Sequence, residues 1–323
     1  MRGRAALARA RPLAVAAATV IALATLGGAC SDADESGRGS STSVASAGGP
    51  TSSTRPAVAT TTTVVPRSQA DVAVPATATA VVEALTRVER GLRRDGVADD
   101  ELARLGWEQH LAYAVLAQRP EWHGEVFGAL DPDIAAVARA NVDAGTQLSG
   151  LAEPQPDLPA WRIRAPKSVA ELLAYYEEGQ SASNVPWPYL AAIHFVETRM
   201  GRIVGTSTAG AQGPMQFIPE TWAAFGEGDI YDDRDAILAA ARYLASRGAP
   251  DDMRRALYSY NNSDRYVSAI ASYAEVIARD PRAYVGYYHW QVHYGTTSGR
   301  YLLPEGFGDG VAAVRLDALS QPG

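Results

Sequence analysis

Residues 186–201, PWPYLAAIHFVETRMG, followed by residues 202–222, RIVGTSTAGAQGPMQFIPETW, carry the reading of this chain. The first segment predicts a helix: proline at its start, Leu190, Ile193, Val196 and Met200 at helical spacing, and Gly201 just past the end. Glu197 stands four residues after Ile193 and seven after Leu190, so it shares the apolar face rather than the wet one. A carboxyl group placed there should have a raised pKa and be able to donate a proton near neutral pH.

The second segment is punctuated by Gly205, Gly210 and Gly213, which allow backbone turns and close approaches that a side chain would forbid. A Met215-Gln216 pair then precedes a new helix at Pro219, and a third block, ALYSYNNSDRYV at residues 256–267, lies further along. Three ordered blocks over about seventy residues are far more specific than one short motif. Together they resemble the lytic transglycosylase family of the soluble, goose-lysozyme-like type: the acid in VETRMG, then Ser207, Gly210, Ala211, Gly213, Met215, Gln216 and Pro219, then the Tyr260-Asn261 pair. The chain departs from the commonest pattern at Asn262-Ser263 and in having Pro214 before the methionine.

The resemblance implies a mainly α, lysozyme-like catalytic domain acting on peptidoglycan glycan strands without metal or organic cofactor. Most glycosidases need two carboxylates, but the resemblance supplies only Glu197. It implies that the N-acetyl group of N-acetylmuramic acid stabilises the anomeric centre while that sugar's own 6-hydroxyl attacks it. Glu197 would protonate the leaving N-acetylglucosamine oxygen and then deprotonate the 6-hydroxyl, leaving a 1,6-anhydromuramic end. Ser207 and Gln216 would bind the N-acetyl and sugar hydroxyls, Met215 would pack on a sugar face, and Tyr260 with Asn261 would close the opposite wall. Two other readings fit the same residues: a hydrolytic muramidase on this fold, and a wall-binding lipoprotein that has lost turnover.

The remaining sequence sets the context. MRGRAALARARP carries four arginines before an apolar run from Leu13 to Leu26, the pattern of a signal peptide, so export is expected. Cys30, the single cysteine of the 323 residues, follows in LGGAC, which resembles a bacterial lipoprotein signal and implies acylation and a membrane anchor facing the wall, although Gly27 takes the place of the usual leucine. The net charge of -7, with Lys167 the only lysine and no basic stripe interleaved with aromatics, argues against a nucleic-acid partner. Wall-synthesis proteins are further partners that the resemblance suggests.

Residues 1–30 thus read as a signal peptide ending at the lipidation cysteine, and 31–78, rich in Ser, Thr, Ala and Pro, as a disordered tether. Forty flexible residues would span about 35 Å. From 79 to 150 come three amphipathic helices, around Val82 to Leu92, from Asp99 to Val115, and after Asp131, which could form a small bundle of their own but are expected chiefly to scaffold the catalytic domain. The Pro-rich LAEPQPDLPAW connects to a catalytic domain at 160–295, with further helices over 169–179, 219–225, 235–246, 251–260, 264–277 and 281–288. No alternating strand pattern stands out, and 296–323 reads as a surface arm. His289 and His293 in HWQVH lack a third ligand and read as structural, so no metal site is expected. The cluster Tyr284, Tyr287, Tyr288, Trp290 and Tyr294 reads as core. The acidic run EGDIYDDRD lacks calcium-loop spacing and reads as a helix N-terminus.

Overall fold

A computed structural model describes residues 72–316. The expected signal segment, Cys30 and nearly all of the tether lie outside these residues; Val72 and Val74, at the tether's expected end, already pack against the core. The architecture is mainly α. In chain order the helices are α1 (Ala78–Gly91), α2 (Asp99–Gln118), α3 (His123–Ala129), α4 (Pro132–Ser149), α5 (Val169–Ser183), α6 (Trp187–Thr198), α7 (Pro219–Phe225), α8 (Asp233–Ser246), α9 (Met253–Tyr260), α10 (Asp264–Arg279) and α11 (Ala283–Tyr288).

Local chemistry sets the starts of these helices. Ser168 and Glu171 form a reciprocal capping box at α5, Asp232 caps α8 through the Asp235 amide, and Ser263 caps α10 through the Tyr266 amide. The acidic run before α8 is therefore a helix N-terminus, where carboxylates satisfy otherwise orphaned amides. Prolines stand at the first or second position of α4, α6 and α7, where no amide donor is lost. At α2 the expected caps Asp99 and Asp100 instead occupy the first turn, behind Ala98.

Two expectations are corrected. The chain does contain strands: β1 (Arg162–Ile163) pairs antiparallel with β2 (Ile203–Val204), and β3 (Val292–Thr296), β4 (Gly299–Leu303) and β5 (Val314–Arg315) form an antiparallel sheet. Residues 299–303 are thus a sheet strand and not part of a surface arm; Leu302 and Leu303 are buried. The short ladders fit together because Ile163, Ile203, Val292 and Leu303 form a small apolar cluster joining the two sheets. The segments VHYGT and GRYLL are short and broken by glycine, which hides their period of two.

The second correction concerns 79–150. These helices do not close on themselves as a separate bundle: their buried side chains share one continuous core with α5 to α11. Helix α10 packs against α4 on one side and the Glu197 helix, α6, on the other, while α2 packs on α11. The last contact is close: a Cβ on Gly106 would lie 2.5 Å from the Cβ of His289 and 2.9 Å from the Gly286 carbonyl oxygen.

Candidate active site

Helix α6 is enclosed almost all round, Leu190 to Thr198 being buried without interruption. Its end is fixed by an unusual reversal. Arg199, Met200 and Gly201 all adopt positive φ (54°, 58° and 79°), a left-handed run that costs non-glycine residues energy and must be held by its surroundings. Thr198 is one such hold: its hydroxyl donates to the Pro214 carbonyl at 2.6 Å and accepts from the Gly201 amide at 3.1 Å, tying the helix end to the glycine loop.

Glu197 sits one residue before this anchor and is 3% exposed. Burial pushes its pKa up to about 8, against the opposing pull of the Tyr266 hydroxyl, which donates to Oε1 at 2.7 Å. No charged side chain among the described residues adds to these two influences. The carboxyl group is therefore mostly protonated at neutral pH and can lose its proton to a stronger base or a developing alkoxide. The arginines that follow Glu197 in sequence reach backbone carbonyls: Arg199 donates to the Phe195 carbonyl at 3.0 Å and Arg202 to the Tyr288 carbonyl at 2.9 Å.

The residues singled out in the loop and third block surround this helix in distinct ways. Ser207 braces the loop, its hydroxyl accepting from the Ala211 amide at 2.9 Å while its own amide donates to the Ala211 carbonyl at 3.0 Å. Gln216 has φ 49°, is 5% exposed, and donates from Nε2 to the Gly213 carbonyl at 2.9 Å; its Oε1 accepts no hydrogen bond from the described residues. A buried, strained amide with an unused acceptor is well suited to a ligand hydroxyl or N–H. Met215 differs from the expectation: its side chain is wholly enclosed in the core and offers no face to a sugar. Asn261 is buried at the end of α9, where its carbonyl accepts from the Ser263 amide at 2.7 Å.

Tyr260 braces the glycine loop. Its hydroxyl donates to the Met215 carbonyl at 2.6 Å, so it holds the loop rather than the acid. The residue that reaches the acid is Tyr266, six positions further on, with its ring parallel to that of Tyr260 at 6.4 Å. Sequence reasoning missed Tyr266, although its spacing to Ile270, Tyr273 and Ile277 places it on the buried face of α10. Also missed was Tyr231, 52% exposed beside the glycine loop, whose hydroxyl donates to Gln212 Oε1 at 3.1 Å.

The other acids near the loop have structural partners. Asp229 accepts from the Tyr231 amide, Asp232 caps α8, and Asp233 pairs with Arg164 at 2.8 Å and faces His194 Nε2 at 3.5 Å beneath α6. His194 is held from its other ring nitrogen by the Tyr176 hydroxyl at 2.8 Å. His289 ends α11 and His293 lies in β3. Among the described residues no three His, Cys, Asp or Glu side chains are gathered as metal ligands, and no helix is long and apolar enough to cross a membrane.

The described residues thus combine a mainly α fold with a buried, protonated glutamate beside a glycine-rich loop, and the comparisons concern this part of the chain. Residues 174–276 match the family described as "Transglycosylase SLT domain", so this fold is that of a lysozyme-like SLT domain with helices added before it. The chain is 32% identical over 129 residues to "Membrane-bound lytic murein transglycosylase F" of Thiobacillus denitrificans (strain ATCC 25259 / T1), an alignment covering 38% of this chain and 27% of that protein. It is 27% identical over 133 residues to "Membrane-bound lytic murein transglycosylase F 2" of Alkalilimnicola ehrlichii (strain ATCC BAA-1101 / DSM 17681 / MLHE-1), covering 39% and 29%. The chain thus spans under a third of the length of these curated relatives. No solved structure matches it.

Proposed function

We propose that this chain is a peptidoglycan lytic transglycosylase that cuts the β-1,4 bond between N-acetylmuramic acid and N-acetylglucosamine. The observation that carries the reading is the state of Glu197: enclosed, protonated near neutral pH, and held by Tyr266 alone. A proton on this carboxyl goes to the glycosidic oxygen as the bond to the anomeric carbon breaks. The carboxylate so formed is stabilised by the Tyr266 hydroxyl and takes the proton of the muramic 6-hydroxyl as that oxygen closes on the anomeric carbon. Protons and bonds balance, and Glu197 returns protonated. The substrate's N-acetyl group shields the cationic centre between the two steps, the task that a second carboxylate performs in other glycosidases. A carboxylate close to Glu197 would perturb its ionisation, and the absence of such an influence among the described residues supports this reading.

Mass spectrometry of products from purified sacculi tests this. Anhydromuramic ends are expected, and Glu197→Gln is expected to lose cleavage while retaining fold and glycan binding. A predominantly reducing end would make the chain a muramidase, and no product from the native chain would leave only wall binding. The proposal includes export and anchoring through acylated Cys30. Cys30→Ala should release the chain from membranes or leave it unprocessed, and equal soluble export of both forms would remove the anchor.

A further inference from the structure

The Asp233 carboxylate lies where four elements meet, directly behind the reversal that ends the Glu197 helix. Its Oδ2 accepts from Arg164 Nη2 at 2.8 Å, and its Oδ1 faces His194 Nε2 at 3.5 Å. Arg164 follows β1, Asp233 opens α8, and His194 lies in α6 about one turn before Glu197. The other ring nitrogen of His194, Nδ1, meets the Tyr176 hydroxyl of α5 at 2.8 Å. Tyr176, His194 and Asp233 are buried, whereas the Arg164 side chain is 45% exposed.

Three of these residues also grip the reversal itself. Arg164 donates from Nε to the Gly201 carbonyl at 2.8 Å and from its amide to the Arg202 carbonyl at 2.9 Å. The His194 carbonyl accepts from the Met200 amide at 3.1 Å. Asp233 fills the space beside Gly201, where a Cβ would lie 2.2 Å from Oδ1. A run of positive φ over Arg199, Met200 and Gly201 persists only where its surroundings over-determine it. Thr198 supplies one hold from the glycine loop, and the row through Asp233 supplies another from beneath. Burial works to raise the Asp233 pKa, but the contact with His194 and the charges of Arg164 and Lys167 outweigh it and keep the pKa below the ordinary carboxylate value. The hold is therefore an anion at neutral pH.

We propose that Tyr176, His194, Asp233 and Arg164 are a positioning network for the catalytic acid. By fixing the end of α6 they set how deeply the Glu197 carboxyl is enclosed and whether the Tyr266 hydroxyl reaches it. Asp233 in this role is no second catalytic carboxylate, since its two oxygens are turned to Arg164 and His194. The role rests on the catalytic reading of Glu197.

Arg164→Gln is the principal variant, because a half-exposed side chain can be shortened without opening the core. The full-length variant should fold and lower kcat on purified sacculi by about tenfold or more, with KM within about twofold of native. Its Glu197 carboxyl, followed by NMR of chain labelled with 13C at the glutamate carboxyls, should titrate about one pH unit or more below that of the native chain, as water reaches a loosened helix end. Arg164→Lys keeps the charge but not the fork that spans Gly201 and Asp233, so it should behave as Arg164→Gln does. Asp233→Asn should lose as much kcat, and the double variant no more than either alone, because both changes break one unit. A native kcat or an unchanged Glu197 titration in Arg164→Gln overturns the proposal, as do full activity in Arg164→Lys and losses that multiply in the double variant. The titration needs no turnover, so it judges the network by itself, whereas a native chain that yields no product defeats the catalytic reading.

Discussion

At the scale of single residues, the proposed role of Glu197 would tie stability to catalysis through one ionisation. Its folded-state pKa is about 8 against an ordinary 4.5. Between those values the unfolded chain has released a proton that the folded chain retains, so stability is highest below pH 4.5, falls as pH rises, and levels off above pH 8. At pH 7 the deficit is about 3 kcal/mol. Glu197→Gln keeps the shape and removes the ionisation, so the variant should be more stable than the native chain at pH 7 by up to that amount and equal to it near pH 4. Denaturant titrations at the two pH values measure this. Cleavage, which needs the protonated acid, should decline as pH rises through about 8. Tyr266→Phe removes the hydrogen bond that favours the carboxylate, so the alkaline limb should move to still higher pH. The same change should lower kcat by about 10- to 100-fold, the value of a hydrogen bond to a charged group. A rate profile matching the native one would show that the tyrosine only packs. The burial of Glu197 was legible in the sequence because one polar residue on an apolar helix face is conspicuous. Tyr266 was not, because an aromatic at helical spacing looks the same whether it packs or donates.

At the scale of elements, the loop between α6 and α7 turns on Gly213. Its φ is 74°, and a Cβ there would lie 1.9 Å from the Ile230 carbonyl oxygen, a backbone atom that cannot rotate aside. Gly213→Ala should therefore destabilise the chain by at least about 2 kcal/mol and displace Gln216, which leans on the 213 carbonyl. Thermal unfolding reads the first effect, and a loss of cleavage larger than the loss of folded protein reads the second. Tyr231, exposed on the far side of that contact, presents a ring that can stack on a sugar. Tyr231→Ala should raise KM several-fold with kcat nearly unchanged and only a small loss of thermal stability, because the residue is 52% exposed. The glycines of this loop could be read from sequence as turn residues, but which of them are forced by contact could not, since Ile230 reaches Gly213 from a separate segment. The helices were legible for the opposite reason: caps such as Ser168 with Glu171 lie within one turn of what they cap. The β3–β4 hairpin was not, its five-residue strands being stabilised by Ile163 and Ile203 from far along the chain.

At the scale of the whole molecule, the helices before the SLT match are part of the site's foundation. Glu89 of α1 is 1% exposed and accepts from Gln109, Tyr113 and Arg93, and Arg93 reaches on to Asp280 at the end of α10. Gln109 in turn accepts from the Trp290 indole at 2.8 Å. Helix α10, which carries Tyr266, is thus clamped between α4 and α6 and pinned at its C-terminus by α1. A sequence reading that ends one unit at 150 and begins another at 160 misses this, because each amphipathic helix declares an apolar face but not the partner that covers it. Shortening the chain to residues 151–323 would expose the face of α10 that α4 covers and take Arg93 away from Asp280, leaving it Arg282 alone. Such a chain should lack a cooperative thermal transition and bind hydrophobic dyes, as a loosely packed state does. A gentler test keeps every residue in place: Gly106→Val forces a side chain between α2 and α11, where 2.5 Å is available. It should lower the melting temperature by several degrees, since about 1 kcal/mol corresponds to 2–4 °C in a chain of this size. The fraction that remains folded should keep the pH profile set by Glu197. A shortened chain that unfolds cooperatively and cleaves sacculi at the full rate would show that the earlier helices are an independent unit, and that the clamp on α10 is dispensable to the acid it positions.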